Sequence, residues 1–192
     1  WRELKSGQLI IMFFALVLAV ATVSSISLFT DRLEKALISE TQEFLGGDLK
    51  FESNDLIEDE AYEKIKKLNL KASEMVQFAS MLSSEDNLQL ASIKAVDRNY
   101  PLVGEMELQS EGFKEIVRSP PRKGQIWLDH RLMEILDLKI GEKVSIGDAD
   151  FSFSHIIISE PDRGSNSFAF AAKAIINMED LASTNVIQPG SR

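Results

Sequence analysis

Cysteine is absent from these 192 residues. That removes disulfide frameworks, thiolate nucleophiles, cysteine-ligated zinc and iron–sulfur clusters. It leaves the compartment open, since a chain without thiols suits an oxidising space and the cytosol alike. Histidine is nearly absent as well. His130 and His155 stand far apart in the chain, outside any H-x3–5-H or H-E-x-x-H spacing, so a histidine metal centre is not expected. There is no G-x-x-x-x-G-K-[ST] phosphate loop, so this chain does not itself hydrolyse ATP. The G-x-S-x-G nucleophile turn is missing too: Gly164-Ser165-Asn166-Ser167 lacks the closing glycine. Acid pairs such as Glu58-Asp59 read as solvated faces in a chain holding 30 Asp and Glu. The expectation is a non-enzyme with no catalytic, cofactor-binding or metal-binding residues.

Positive charge is scarce, at 21 Lys and Arg for a net charge of −9. Residues 1–29 contribute Arg2, Lys5 and Glu3, a net +1, which leaves −10 for residues 30–192. A body of that sign repels phosphate, so nucleic acid is not a partner and anionic lipid surfaces suit the domain poorly. Hydrophobic residues make up 44% of the chain, enough for a core and unlike a disordered polymer. The mean hydropathy of −0.06 conceals an uneven distribution.

Residues 8–29 carry no charge, and residues 9–29 are dominated by Leu, Ile, Val, Ala and Phe. A helix of that length covers roughly 32 Å, matching the ~30 Å hydrocarbon core of a bilayer. A soluble core helix rarely stays apolar beyond ~14 residues, which argues against that alternative. A cleaved signal peptide is the stronger rival, because Ala19-Val20-Ala21 supplies an A-x-A pattern. Against it, the preceding flank is weakly basic, and the apolar run continues through Ile26, Leu28 and Phe29. A mature N-terminus near Thr22 would restore the signal-peptide reading. Arg2 and Lys5 on one flank balance Arg32 and Lys35 on the other, so charge does not orient the span. Beyond it, Leu33, Ala36, Leu37, Thr41 and Phe44 recur at helical spacing. An amphipathic stalk over residues 30–47 is therefore expected, ended by Gly46-Gly47, where glycine takes a left-handed cap.

The remainder, residues 48–192, reads as a domain. Strands are expected at 48–53, around Val76, Phe78 and Leu82, and at 88–96, the last two forming a hairpin through a polar turn at 83–87. A helix carries Ile57, Ala61, Ile65 and Leu68 on one face, with Lys64, Lys66 and Lys67 in its last turn. Short strands follow at 105–108 and at Ile126-Trp127-Leu128. A helix then turns Leu132, Ile135 and Leu136 inward, and further strands lie at 144–146, 151–159 and 174–177. A helical turn at 178–181 completes the series. Residues 161–166 read as a polar loop. The fold class is α+β with a mainly antiparallel sheet. Two features stand out as candidate contacts: the basic loop with Arg118, Arg122 and Lys123, and Phe168 with Phe170. Ordinary loop composition and strand spacing account for both.

The order of short motifs carries more information than any one of them. Trp1-Arg2-Glu3-Leu4-Lys5-Ser6-Gly7 precedes the apolar run, and Phe29-Thr30-Asp31-Arg32-Leu33 and Leu45-Gly46-Gly47-Asp48-Leu49 follow it. Then come Phe78-Ala79-Ser80-Met81, Lys94-Ala95-Val96-Asp97, Tyr100-Pro101-Leu102 with Gly104, and Gly124-Gln125-Ile126-Trp127-Leu128-Asp129. Glu160-Pro161-Asp162-Arg163-Gly164 and Gln188-Pro189-Gly190-Ser191-Arg192 complete the series. It resembles the start of FtsX-like ABC transporter permeases with a MacB-type periplasmic core domain, in their YbbP-like subgroup. Val103 and Ala172-Lys173 depart from that pattern, which has Arg and Pro-Arg there.

The resemblance implies a chain that is one piece of a longer protein, with further membrane helices. It implies residues 1–7 in the cytoplasm, a span at 8–29, a stalk at 30–47 and a periplasmic α+β domain at 48–192, in the bacterial inner membrane. Implied partners are a cytoplasmic ABC ATPase, a periplasmic esterase of lysophospholipase type and membrane lipid. The implied role is mechanotransmission, with ATP-driven motion acting on a lipophilic substrate, and the family supplies no catalytic residues here. The alternative is a single-pass membrane-anchored binding or sensor domain, which absence of further ~20-residue apolar runs downstream would favour.

Overall fold

A computed structural model describes residues 7–53, 57, 59–85, 87–110, 112–162 and 172–187. The chain divides into two compact units, Trp1–Thr41 and Gln42–Arg192. Helix α1, Gly7–Leu45, runs 39 residues without interruption. Within its stretch Leu9–Leu37 the most apolar 18-residue window has a mean hydropathy of 2.7 and none of that window is buried, so length and composition suffice to cross a membrane. A helix that leaves Phe13, Phe14, Leu16 and Leu18 uncovered is not a soluble core helix. The Thr22 hydroxyl donates to the Leu18 carbonyl at 2.7 Å, which satisfies it inside the helix. Farther along, Lys35 pairs with Asp31 one turn back at 2.8 Å. The expected glycine stop holds, since α1 ends at Leu45 and Gly46 has φ +70°.

The second unit is a sheet that closes on itself. After helix α2, Asp59–Lys67, come β1 (Met75–Ser83), β2 (Leu88–Val96), β3 (Met106–Ser110), β4 (Phe113–Val117) and β5 (Gln125–Asp129). Helix α3 (His130–Ile135), β6 (Lys143–Ile146), β7 (Ala149–Ser159), β8 (Lys173–Asn177) and a 3-10 helix (Met178–Thr184) complete it. The strand order is β4-β3-β7-β5-β8-β2-β1-β6, and β6 also pairs with β7. That last pairing joins β7, β5, β8, β2, β1 and β6 into a ring, with the β3–β4 hairpin attached to β7 outside it. The pairs β2–β8 and β5–β7 are parallel and the remaining ones antiparallel, so the fold is the expected α+β with a mixed, mainly antiparallel sheet.

Period-2 alternation fills this ring. Ile93 and Ala95 of β2, Ile126 and Leu128 of β5, Ala174 and Ile176 of β8, and Phe151 and Phe153 of β7 share one core with Leu132 and Leu136. Burying each large apolar side chain stabilises the fold by about 1.5–3 kcal/mol. In β7 the register shifts opposite Ile126 and Trp127, so the inward positions run Phe151, Phe153, then Ile156. A second cluster lies on the other face of the sheet: Val96, Tyr100, Met106, Leu108, Trp127 and Ile175. Strand β2 is thus buried on both faces from Ala91 to Val96.

The structure corrects three expectations. Residues 48–53 are not a strand: they belong to no ladder of the sheet, and Leu49 and Phe51 are 89% and 72% exposed. Ile135 does not point inward but is 48% exposed, because α3 is short and ends before its next inward position, Leu136. Leu68 likewise lies exposed just beyond α2. Pro161 and Asp162, the described part of the expected polar loop 161–166, carry no helix or strand and are buried. Strand β4 went unanticipated, since residues on both of its faces are exposed and its pattern is not that of a core strand.

Candidate functional site

Three buried charged side chains, Lys94, Glu160 and Asp162, converge on the outer face of β2. Lys94 is 3% exposed although it carries a charge, and its ammonium lies 2.8 Å from Glu160 Oε2 and 3.1 Å from Asp162 Oδ1. The Tyr100 hydroxyl donates to Asp162 Oδ1 at 3.0 Å, and the Tyr100 ring sits 5.6 Å from Lys94 Nζ. Lys173, on β8, pairs with the other oxygen of Glu160. Two lysines therefore face two carboxylates, and formal charge balances. Register explains the meeting. Ser92 of β2 lies opposite Lys173 of the parallel strand β8, which puts Lys94 and Lys173 on one face. The end of β7 then delivers Glu160 and Asp162 over them.

Burial alone pulls the Lys94 ammonium toward its neutral form, but Glu160 and Asp162 outweigh it and hold its pKa above 10.5. Burial likewise pushes the Glu160 carboxyl up, and the two lysines overcome this and keep it below 4.5. Burial, with the Asp162 charge beside it, raises the Tyr100 phenol and keeps it protonated. Charge-assisted hydrogen bonds of this kind contribute about 1.5–3 kcal/mol each. Removing one partner from such a pair costs about 3–5 kcal/mol, because a buried charge is left uncompensated.

Gly46 lies against the same cluster. A Cβ built on it would meet the Asp162 Cβ at 2.8 Å, and its φ of +70° also disfavours a side chain. Asp162 itself has φ +61°, a region that aspartate tolerates better than most residues. Four motifs noted in the sequence thus meet here: those of Gly46, Lys94, Tyr100 and Asp162. The sequence reading named no site residues and so missed the cluster. One signal was available, a lone lysine among the apolar residues of β2.

The histidines remain apart. His130 faces Glu134 one turn along α3 at 3.4 Å, while His155 Nε2 lies 2.8 Å from Glu115 and its ring meets Trp127 edge-on. Among the described residues no cluster of His, Cys, Asp or Glu could hold a metal ion. In the basic loop, Arg118 pairs with Glu105, and Arg122 and Lys123 are exposed. Phe168, Phe170 and residues 164–167 lie outside the described residues.

No protein-family model matches the chain. The whole chain aligns at 38% identity with the uncharacterized ABC transporter permease YbbP of Escherichia coli (strain K12), of which it spans 23%. Among solved structures it is similar to the periplasmic region of MacB from Actinobacillus actinomycetemcomitans, at 15% identity and a TM-score of 0.42, covering 68% of this chain and 60% of that one. It is also similar to a domain assigned to a permease protein of Porphyromonas gingivalis, at 13% identity and a TM-score of 0.43, covering 67% and 56%. The alignment with an ABC transporter permease and the exposed apolar helix fit a membrane protein. From end to end, then, the chain is similar to a part, about a quarter, of the ABC transporter permease YbbP.

Proposed function

We propose that this segment transmits force in an ABC transporter permease. In this reading residues 1–7 lie in the cytoplasm beside a partner ATPase, 8–29 cross the membrane, 30–47 form the stalk, and 48–192 work in the periplasm. ATP-driven closure of the ATPase moves the membrane helices, and α1 carries that motion to the sheet domain, which acts on a lipophilic substrate. The continuity of α1 carries the proposal. Its 39 residues span about 58 Å at 1.5 Å per residue, nearly twice the ~30 Å hydrocarbon core, with no proline or glycine inside the helix after Gly7. Such a rod transmits displacement along its axis where a linker of loose coil would absorb it. A lysophospholipase-type esterase and membrane lipid are the further partners that the family resemblance supports.

The test is an insertion. A Gly/Ser stretch at Ile38 interrupts the rod after the apolar segment and leaves both ends intact. ATP hydrolysis and assembly with the ATPase should persist while substrate movement is lost. Unchanged transport would overturn the stalk's role.

A further inference from the structure

Between α1 and β1 the covalent path runs through residues 46–74, where Leu49, Phe51, Leu68 and Leu70 are exposed and α2 is the sole regular element among the described residues. A second route is short. The Gly46 backbone touches Asp162, Asp162 is held by Lys94 of β2 and by Tyr100, and Glu160 ties Lys94 to Lys173 of β8. Both strands belong to the closed ring and pair with each other.

We propose that Asp162, Lys94, Glu160, Tyr100 and Lys173 form a latch that fastens the exit of α1 at Gly46 to β2 and β8, so that motion of α1 enters the ring through Asp162 and bypasses residues 46–74. As a coupling device the latch rests on the force-transmitting reading above. As a fastening it stands alone. Lys94, Glu160 and Asp162 are positioning residues, charged groups shut away from solvent to hold one backbone crossing. Glycine at 46 lets the two backbones approach, and a methyl group there would force them apart without altering any charge.

Hydrogen exchange on the full permease in lipid nanodiscs tests this. Without nucleotide, Asp162→Asn and Lys94→Met should each raise exchange in the peptide over residues 45–50 at least tenfold, with the β1–β2 ladder unchanged. Gly46→Ala should do the same from the opposite side and keeps the proposal testable if the charge variants misfold. Lys64→Met, which removes an exposed ion pair on α2, is the control and should leave residues 45–50 as they are. Unaltered exchange at 45–50 in the latch variants would overturn the latch, as would a rise shared equally by the ladder. Adding ATP and the partner ATPase separates the two ideas. Wild-type protein should then change exchange in β2 and β8, and Lys94→Met should abolish that change. No nucleotide response in wild type, with the tenfold effect at 45–50 intact, would sink force transmission and leave the fastening standing.

Discussion

At Gly147 a single methyl group is enough to break a turn. A Cβ there would lie 2.0 Å from the Thr184 carbonyl oxygen and 2.8 Å from a Val186 methyl, and φ is +55°. The Thr184 carbonyl cannot retreat, because it accepts the Asp148 amide at 3.0 Å. Gly147→Ala should therefore destabilise the domain by about 2–4 kcal/mol, read as a lower thermal midpoint, while Gly124→Ala, with open space around its Cβ, should cost about 1 kcal/mol. Glu160 and Lys94 respond to pH with opposite signs. Folding depresses the Glu160 value, so its contribution is present above 4.5 and is lost as pH falls through the lower folded value. Folding raises Lys94, so its contribution is complete below 10.5 and is lost only as pH rises beyond that. Between these limits the pair adds a flat plateau. Glu160→Gln should lower stability on the plateau by about 3 kcal/mol and shrink the loss seen on acidification, in denaturant titrations from pH 7 to pH 3.

The elements differ in how far the ring supports them. Phe153, wholly buried inside it, should cost about 3–5 kcal/mol when cut to alanine, whereas Ile116→Lys on the exposed strand β4 should stay within about 0.5 kcal/mol. Denaturant unfolding of the two variants checks the contrast, and equal losses would contradict the placement of β4 outside the ring. Pattern reading succeeded where one face of an element is buried and the other is wet. Strand β6 presents that alternation, while β2 from Ala91, β5 and β8 are buried on both faces and were legible as short runs rich in apolar and β-branched residues. It failed for residues 48–53, where Leu49 and Phe51 alternate as in a strand but the segment joins no ladder of the sheet. Alternation is necessary for a strand and does not supply its partner.

At the scale of the whole molecule, the absence of cysteine becomes an experimental handle. Single cysteines introduced at Leu16 and at Glu34 divide the proposed span from the proposed stalk. In intact cells bearing the full permease, Glu34→Cys should react with a membrane-impermeant maleimide and Leu16→Cys should not. Equal protection of both would move the boundary beyond residue 34. By itself the sequence determined the apolar helix, its glycine stop, the α+β class and the ordered motifs of a permease, because each of these is written in local composition and spacing. Closure of the sheet where β6 pairs with β1, and the meeting of Lys94 with Glu160 and Asp162, needed the tertiary structure. Those contacts join residues more than sixty positions apart, and the register that brings them together depends on every strand between. A charged residue on a strand reads as solvated until another segment is seen to cover it.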